Sequence, residues 1–291
     1  MELEGKFNRE PDRMASEKAA LSELWRDSCH DITSSRAIQH HLHCSGKITA
    51  KSSFVLCGVQ EAEAVFQSRL VKTEWKYREG QKVKKGKVVC RLHGNCRAVL
   101  ACERTALNYL SLLSGIATKS VAASKKFGKW KISATRKTPP GLSDSCKRAV
   151  KVGGCLTHRM GLSDGILVKD NHIAAIMKGR RVKKEEAVKI AVSSFEPDKF
   201  VEIEVSSLRQ AVAAAQSGAK AILADNVSPK RLRKIARAVR AINRRITIEA
   251  SGGITLENAG NYLRAGADFA STSELTMKIE PANLSLEIDS F

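Results

Sequence analysis

With 291 residues, 43% of them hydrophobic, the chain can bury the core of one large domain or two moderate ones, which excludes disorder over most of its length. Fifty Lys and Arg against thirty Asp and Glu leave a formal charge of +20, an excess that concentrates anions without choosing between small substrates and polyanions. The eight cysteines form no Cys-x-x-Cys pair, no apolar run approaches the ~18 residues of a membrane span, and the charged N-terminus lacks a signal-like apolar core, so a reduced, cytoplasmic setting is expected.

Taken in chain order, residues 1–20 mix charges with Gly5 and Pro11, show no sustained periodicity, and read as a loosely held extension. His40, His41, His43 and Cys44 sit too close in the chain to converge on one metal ion and read as a polar turn entering a strand. Ile48 to Cys57 is strand-like, Gly58 to Arg69 helical, and Gly80 to Gly86 a hairpin between short strands that end near Val99. A long helix is expected from Cys102, with Leu107, Leu110, Leu113 and Ile116 as its buried stripe. These pieces make a small α/β domain over 21–128, which residues 278–291 are expected to join.

Over 129–277 short apolar runs alternate with amphipathic helices, the pattern of repeated βα units around a parallel sheet. Strands are expected at Trp130 to Ala134, Gly165 to Val168, Phe200 to Val205, Ala221 to Ala224, Ile246 to Ala250 and Asp268 to Ser271. Helices are expected at Asp144 to Val152, Lys184 to Ser194, Leu208 to Ser217, Lys230 to Ile242 and Leu256 to Ala265. Arg136 with Lys137, Lys169, Glu204, Asp225, Ser251 with Gly252 and Gly253, and Ser273 all fall at or near strand C-terminal ends. In a β/α barrel those ends share one face, so distant points of the sequence converge on one site.

The chemistry of these groups is that of anion binding. Arg136, Lys137, His158, Arg159 and Lys169 lie where short apolar segments give way to turn residues, and the guanidinium fork matches a carboxylate bidentately. Ser251-Gly252-Gly253, between strand and helix, offers backbone N–H groups to a phosphate with no side chain in the way. Glu202 and Glu204 alternate with Val201, Ile203 and Val205 and so share one strand face, where either a cation-binding role or an internal ion pair would satisfy them. Asp225, one βα unit later, would neighbour Glu204, and two carboxylates beside a phosphate loop suggest Mg²⁺ shared with substrate oxygens. Glu103-Arg104, taken alone, reads as a local charge pair.

Several words resemble the quinolinate phosphoribosyltransferase family: Glu103-Arg-Thr-Ala-Leu-Asn-Tyr-Leu110, Thr135-Arg-Lys-Thr138, His158-Arg-Met-Gly-Leu162, Lys169-Asp-Asn-His172, Asp225-Asn226 and Ser251-Gly-Gly-Ile-Thr-Leu-Glu-Asn258. The resemblance covers nearly all of the chain after the extension. It implies an α/β fold with an N-terminal α/β sandwich and an incomplete β/α barrel, in a homodimer or higher homo-oligomer with sites at subunit interfaces. It further implies a reaction in which quinolinate and phosphoribosyl pyrophosphate give nicotinate mononucleotide, pyrophosphate and carbon dioxide with Mg²⁺, a step of NAD biosynthesis. By the same resemblance Arg136, His158, Arg159 and Lys169 hold the quinolinate carboxylates, with Arg104 reaching in from the partner subunit. Lys137 and Lys169 would face phosphoribosyl pyrophosphate, Glu204 and Asp225 the metal and ribose hydroxyls, and Ser251, Gly252 and Gly253 the 5′-phosphate. The chain departs from the family's words at Ser28-Cys29-His30 and at Thr272-Ser-Glu-Leu-Thr-Met277, where Ser273 stands in place of a glycine near the phosphate. Two other readings share these residues: a paralogous transferase for another anionic aromatic base, and a non-catalytic protein binding anions or, without sequence preference, nucleic acid. Aromatic content of 5% offers few platforms for stacking single strands.

Overall fold

A computed structural model describes residues 2–291, with side chains from residue 5 onward. The chain opens with α1 (Glu2–Phe7), α2 (Arg13–Ser28) and α3 (Ile32–Ala37), followed by β1 (His43–Ala50), β2 (Phe54–Val55) and α4 (Val59–Gln67). Next come β3 (Lys72–Trp75), β4 (Lys82–Val83), β5 (Val88–Asn95) and the long α5 (Cys96–Phe127). Beyond them lie β6 (Ile132–Ser133), α6 (Ser143–Val152), β7 (Ile166–Val168), α7 (Asp170–Arg180), α8 (Lys184–Ser193) and β8 (Val201–Val205). The chain ends with α9 (Leu208–Gln216), β9 (Ala221–Asp225), α10 (Pro229–Ile242), β10 (Thr247–Ser251), α11 (Ala259–Ala265), β11 (Phe269–Ser271), α12 (Glu274–Met277) and β12 (Leu284–Ser290).

Two compact units share these elements. One takes Glu10–Lys126, Lys137–Thr157 and Leu275–Phe291; the other takes the residues up to Arg9, Phe127–Arg136 and His158–Glu274. In the first, β12, β1, β5 and β3 form an antiparallel sheet in that order. Cys44, Gly46, Ile48 and Ala50 alternate inward along β1, as a sheet with one buried face requires. Helix α5 buries Val99, Cys102, Ala106, Leu110, Leu113 and Ala117, a stripe at three- and four-residue steps. Gly115 on that helix lets the returning C-terminal chain pass, since a Cβ there would lie 2.4 Å from the carbonyl oxygen of Glu280.

The second unit is a six-stranded sheet in the order β6-β11-β10-β9-β8-β7, and every pairing in it is parallel. This is the strand order of a β/α barrel left open between its first and second strands. The opening has a simple origin: the crossover after β6, with α6, belongs to the other unit, so no helix of this unit follows that strand.

Residues 1–20 were expected to form a loose extension, whereas the structure folds α1 and α2 there. Asp12 caps α2 by accepting from the N–H groups of Met14 and Ala15. The buried residues of α2 are Ser16, Ala20 and Leu24, only one of them strongly apolar, which is why no periodicity shows in the sequence. Phe7 is 3% exposed and packs its ring against those of Phe269, His158 and Phe200, at centroid distances of 4.7, 5.4 and 5.4 Å. In the division into compact units, residues 278–291 lie with the antiparallel sheet, and so do 137–157 and 275–277.

Candidate active site

Register places the site residues of the parallel sheet. Val168 pairs with Ile203, so the next residues, Lys169 and Glu204, are neighbours; Glu204 pairs with Leu223 and Ser251 with Asp225. Because side chains alternate, Lys169, Glu204, Asp225, Ser251 and Ser271 point to one face at one end of the sheet, the C-terminal end of the strands. Lys169 Nζ donates to Glu204 Oε2 at 3.3 Å, and the Ser271 hydroxyl donates to that of Ser251 at 3.1 Å.

Glu204 and Asp225 fit a hard divalent cation. They are carboxylates on adjacent strands, neither is fully buried, and Glu204 Oε1 and Asp225 Oδ1 accept no hydrogen bond among the described residues. Their other oxygens are engaged: Lys169 holds Glu204, and Asn226 Nδ2 donates to Asp225 Oδ2 at 2.6 Å.

The glycine loop has the form of an anion cradle. Gly252 and Gly253 both take positive φ, 78° and 64°, and among the described residues neither N–H donates to a protein acceptor. Only glycine suits the first position, because a Cβ on Gly252 would meet Asn226 atoms at 2.6 Å. The helix expected from Leu256 starts at Ala259 instead. Thr255 and Asn258 exchange backbone–side-chain bonds of 2.9 and 3.2 Å, and Asn258 Nδ2 donates to the Gly253 carbonyl at 3.0 Å, so a side-chain-tied turn occupies the expected first helical turn. Ser273 follows β11 directly after Thr272, whose hydroxyl donates to the Ile254 carbonyl at 2.7 Å and ties this segment to the loop.

His158 and Arg159 are both buried, at 7% and 8% exposure, whereas Arg136 is exposed. Burial, and then the neighbouring Arg136 charge, lower the Arg159 pKa below its ordinary value, so the two guanidiniums are close enough to repel. Arg159 Nη1 also donates to the Gly165 carbonyl at 3.1 Å, which fixes the side chain.

The histidine turns inward. His158 Nε2 lies 3.0 Å from Glu249 Oε2 and 3.4 Å from Glu202 Oε2, with all three side chains buried. Burial disfavours its cationic form, but the pull of Glu249 and Glu202 prevails and raises its pKa to about 10. Burial, reinforced by the charge of Glu249, raises Glu202 to about 7, while Glu249 is lowered, the attraction of His158 overcoming its own burial. The Arg159 backbone N–H, which can only donate, points at His158 Nδ1 over 2.8 Å. This contact opposes a second proton on Nδ1 and so keeps the ring proton on Nε2, towards Glu249, while the two carboxylates pull towards the doubly protonated ring. A metal ion among His158, Glu202 and Glu249, whose nearest ligand atoms lie within 4.8 Å of one another, would need that same Nε2 lone pair, so the cluster suits protons better than metal.

Arg104 and Lys137 belong to the other compact unit, so of the expected site residues the parallel sheet itself gathers the rest. Arg104 is exposed on α5, and the Lys137 carbonyl accepts from the Thr276 hydroxyl at 2.7 Å. Glu249 escaped the sequence reading. Its signal was a lone carboxylate inside Thr247-Ile-Glu-Ala250, an apolar strand where a charge needs a partner.

Known proteins match over this whole arrangement. Family models for quinolinate phosphoribosyl transferase match residues 31–114 (N-terminal domain) and 116–287 (C-terminal domain). The Homo sapiens nicotinate-nucleotide pyrophosphorylase (carboxylating) is 33% identical over 275 residues, covering 93% of this chain and 91% of the human one. The Mycobacterium leprae protein of that name is 34% identical over 266 residues, covering 89% and 91%. The solved structure of nicotinate-nucleotide pyrophosphorylase from Francisella tularensis superimposes with a TM-score of 0.83 at 29% identity, covering 98% of this chain and 99% of that one.

Proposed function

Because this chain belongs to the quinolinate phosphoribosyl transferase family, we propose that it transfers the phosphoribosyl group of phosphoribosyl pyrophosphate to quinolinate with loss of carbon dioxide, forming nicotinate mononucleotide. The observation that carries this reading is the register that aligns Lys169, Glu204, Asp225 and the Ser251–Gly253 loop on one face.

In this reading Arg136 and Arg159 take the two carboxylates of quinolinate, joined by Lys169 and by Arg104 of a second copy in a homodimer. His158 lies beneath Arg159 and orients it through the backbone. The free N–H groups of Gly252 and Gly253, with Ser251 and Ser273, receive the 5′-phosphate. Lys137 and Lys169 neutralise the departing pyrophosphate. As that group leaves, positive charge grows on the ribose carbon, which Glu204 and Asp225 stabilise while they orient the ribose hydroxyls. Mg²⁺ held by Glu204 and Asp225 would supply charge neutralisation to the diphosphate oxygens. Attack by the pyridine nitrogen makes a pyridinium whose positive charge stabilises the carbanion left when the 2-carboxylate departs, and that carbon then takes a proton. The protein's work is positioning and charge matching. No helix among the described residues is long and apolar enough to cross a membrane, and a cytoplasmic location is part of the proposal.

The test is turnover of the purified chain with quinolinate, phosphoribosyl pyrophosphate and Mg²⁺, with nicotinate as a control base. Nicotinate mononucleotide from quinolinate alone, abolished by chelating the metal, is the expected result. Product from nicotinate would assign the chain to another anionic base, and no product from either base in a folded sample would overturn the catalytic reading.

A further inference from the structure

Ser228 and Pro229 start α10 in the usual manner, the serine hydroxyl accepting from the Arg231 N–H at 3.4 Å. The helix is seated by Leu232, Ile235, Ala236 and Val239, all buried. At 100° per residue the opposite side presents Lys230, Arg233, Lys234 and Arg237, with Arg231 at its edge, and every one is exposed. Arg244 and Arg245, also exposed, extend the charge into the turn before β10. From Asn226 to Ile248 there is no acidic residue. Arg240 alone is neutralised, by Asp268 at 3.0 Å; among the described residues no other cation of this stretch makes an ion pair or a side-chain hydrogen bond.

This arrangement works against the helix that carries it. Lys230 with Lys234 and Arg233 with Arg237 are like charges one turn apart, and Lys230 and Arg231 stand at the positive end of the helix dipole. A face selected only for solubility or stability would intersperse carboxylates, as α8 does with Glu185 and Glu186 in its first turn.

We propose that the outer face of α10 and the turn after it form a docking surface for the phosphate backbone of double-stranded nucleic acid. The chemistry selects that partner on three counts. Guanidinium forks match phosphate oxygens, and most of the row is arginine. Lys230 to Arg237 spans about 10 Å of helix axis, long enough to meet several phosphates and longer than one small anion requires. The face carries no aromatic ring on which single-stranded bases could stack, and the helix's apolar side is used inside its own unit, so it has none to insert into a bilayer. Binding of this kind is independent of sequence and rests on counterion release. It goes beyond the transferase reading and shares no residue with it.

The experiment is fluorescence anisotropy of a labelled 20-base-pair DNA duplex of arbitrary sequence titrated with the full chain between 50 and 200 mM KCl. Five neutralised phosphates give a log–log salt slope of about −4.5, which is roughly a 500-fold loss of affinity across that range. Arg233→Glu with Arg237→Glu should weaken binding at least about tenfold at 50 mM, and Lys230→Gln with Lys234→Gln should make the slope shallower by about 2. Lys84→Glu with Lys85→Glu, an equal change of charge on the exposed turn between β4 and β5 in the other unit, should leave affinity within about twofold. Melting temperatures confirm that each variant is folded. Absence of duplex binding at 50 mM, equal losses in the α10 and β4–β5 turn variants, or tighter binding to a single strand, to polyglutamate or to phosphatidylserine vesicles would each overturn the proposal.

Discussion

Each compact unit contains a buried cluster of one basic group between two glutamates, and the two clusters differ in the basic group. In the antiparallel unit it is Arg148 of α6, which meets Glu61 of α4 and lies 3.0 Å from Glu79. Glu79 also accepts from the N–H groups of Gly58 and Val59, so one carboxylate caps α4 and fastens α6 to it. Burial disfavours the Arg148 charge, but its anionic neighbours raise its pKa further, and a guanidinium stays cationic throughout the working range. In the parallel unit the basic group is His158, an imidazole that shares its protons with Glu202 and Glu249. One cluster is a permanent fastener; the other titrates, and its histidine accepts from the Arg159 backbone N–H.

The comparison is broken most severely at its fixed member. Arg148→Met leaves Glu61, which is fully buried, without its cation, and should cost about 3 to 5 kcal/mol of stability in urea unfolding. Adding Glu61→Met should recover much of that loss, since a packed apolar pair needs no charge; persistence of the full loss would show that Arg148 acts by packing alone. In the other cluster, Glu249→Gln replaces the charged acceptor of the His158 Nε2–H with a neutral one and should cost about 2 kcal/mol. It should also raise KM for quinolinate more than it lowers kcat, because Arg159 loses its seat while the reacting groups remain. An unchanged KM would limit His158 to a structural role.

The smallest effect sharpens the contrast through pH. The folded-state pKa of Glu202, about 7, lies above the ordinary carboxyl value of 4.5, so the stability it contributes is fully present below pH 4.5 and is lost as pH rises through 7. Across that window the slope is at most about 1.4 kcal/mol per pH unit, and Glu202→Gln should flatten it while changing stability little at pH 5. The Arg148 cluster should show no slope from its cation between pH 5 and 8. A Glu202→Gln protein with the parent's pH dependence would place the titrating proton elsewhere.

Legibility in the sequence followed the range of the forces involved. The core strands of the parallel sheet were readable because short apolar stretches such as Ala221 to Ala224, all buried, alternate with amphipathic helices. Lys169, Glu204, Asp225 and the Ser251–Gly253 loop were legible for a related reason, since each lies at or just past a strand's C-terminal end and all strands run the same way. Helix α2 was not, its buried side being small residues, and neither was β12, where Leu284, Leu286 and Ile288 mix with charges at a sheet edge. The N-terminal segment gave no sign that Phe7 would fill a space among three distant rings.

Alternation and the glycine loop follow from local chemistry, whereas the incomplete barrel was implied by the resemblance of the sequence's words to a known family. Tertiary structure decided the partners. It sent α6 to the other unit, and it brought His158 to Glu249, 91 residues away, and to Glu202, whose internal partner was expected to be a lysine or arginine. Local propensity constrains where a buried charge lies along a strand. Which opposite charge satisfies it is settled only when the chain closes and water is excluded, because the low dielectric then makes an unpaired group too costly to keep.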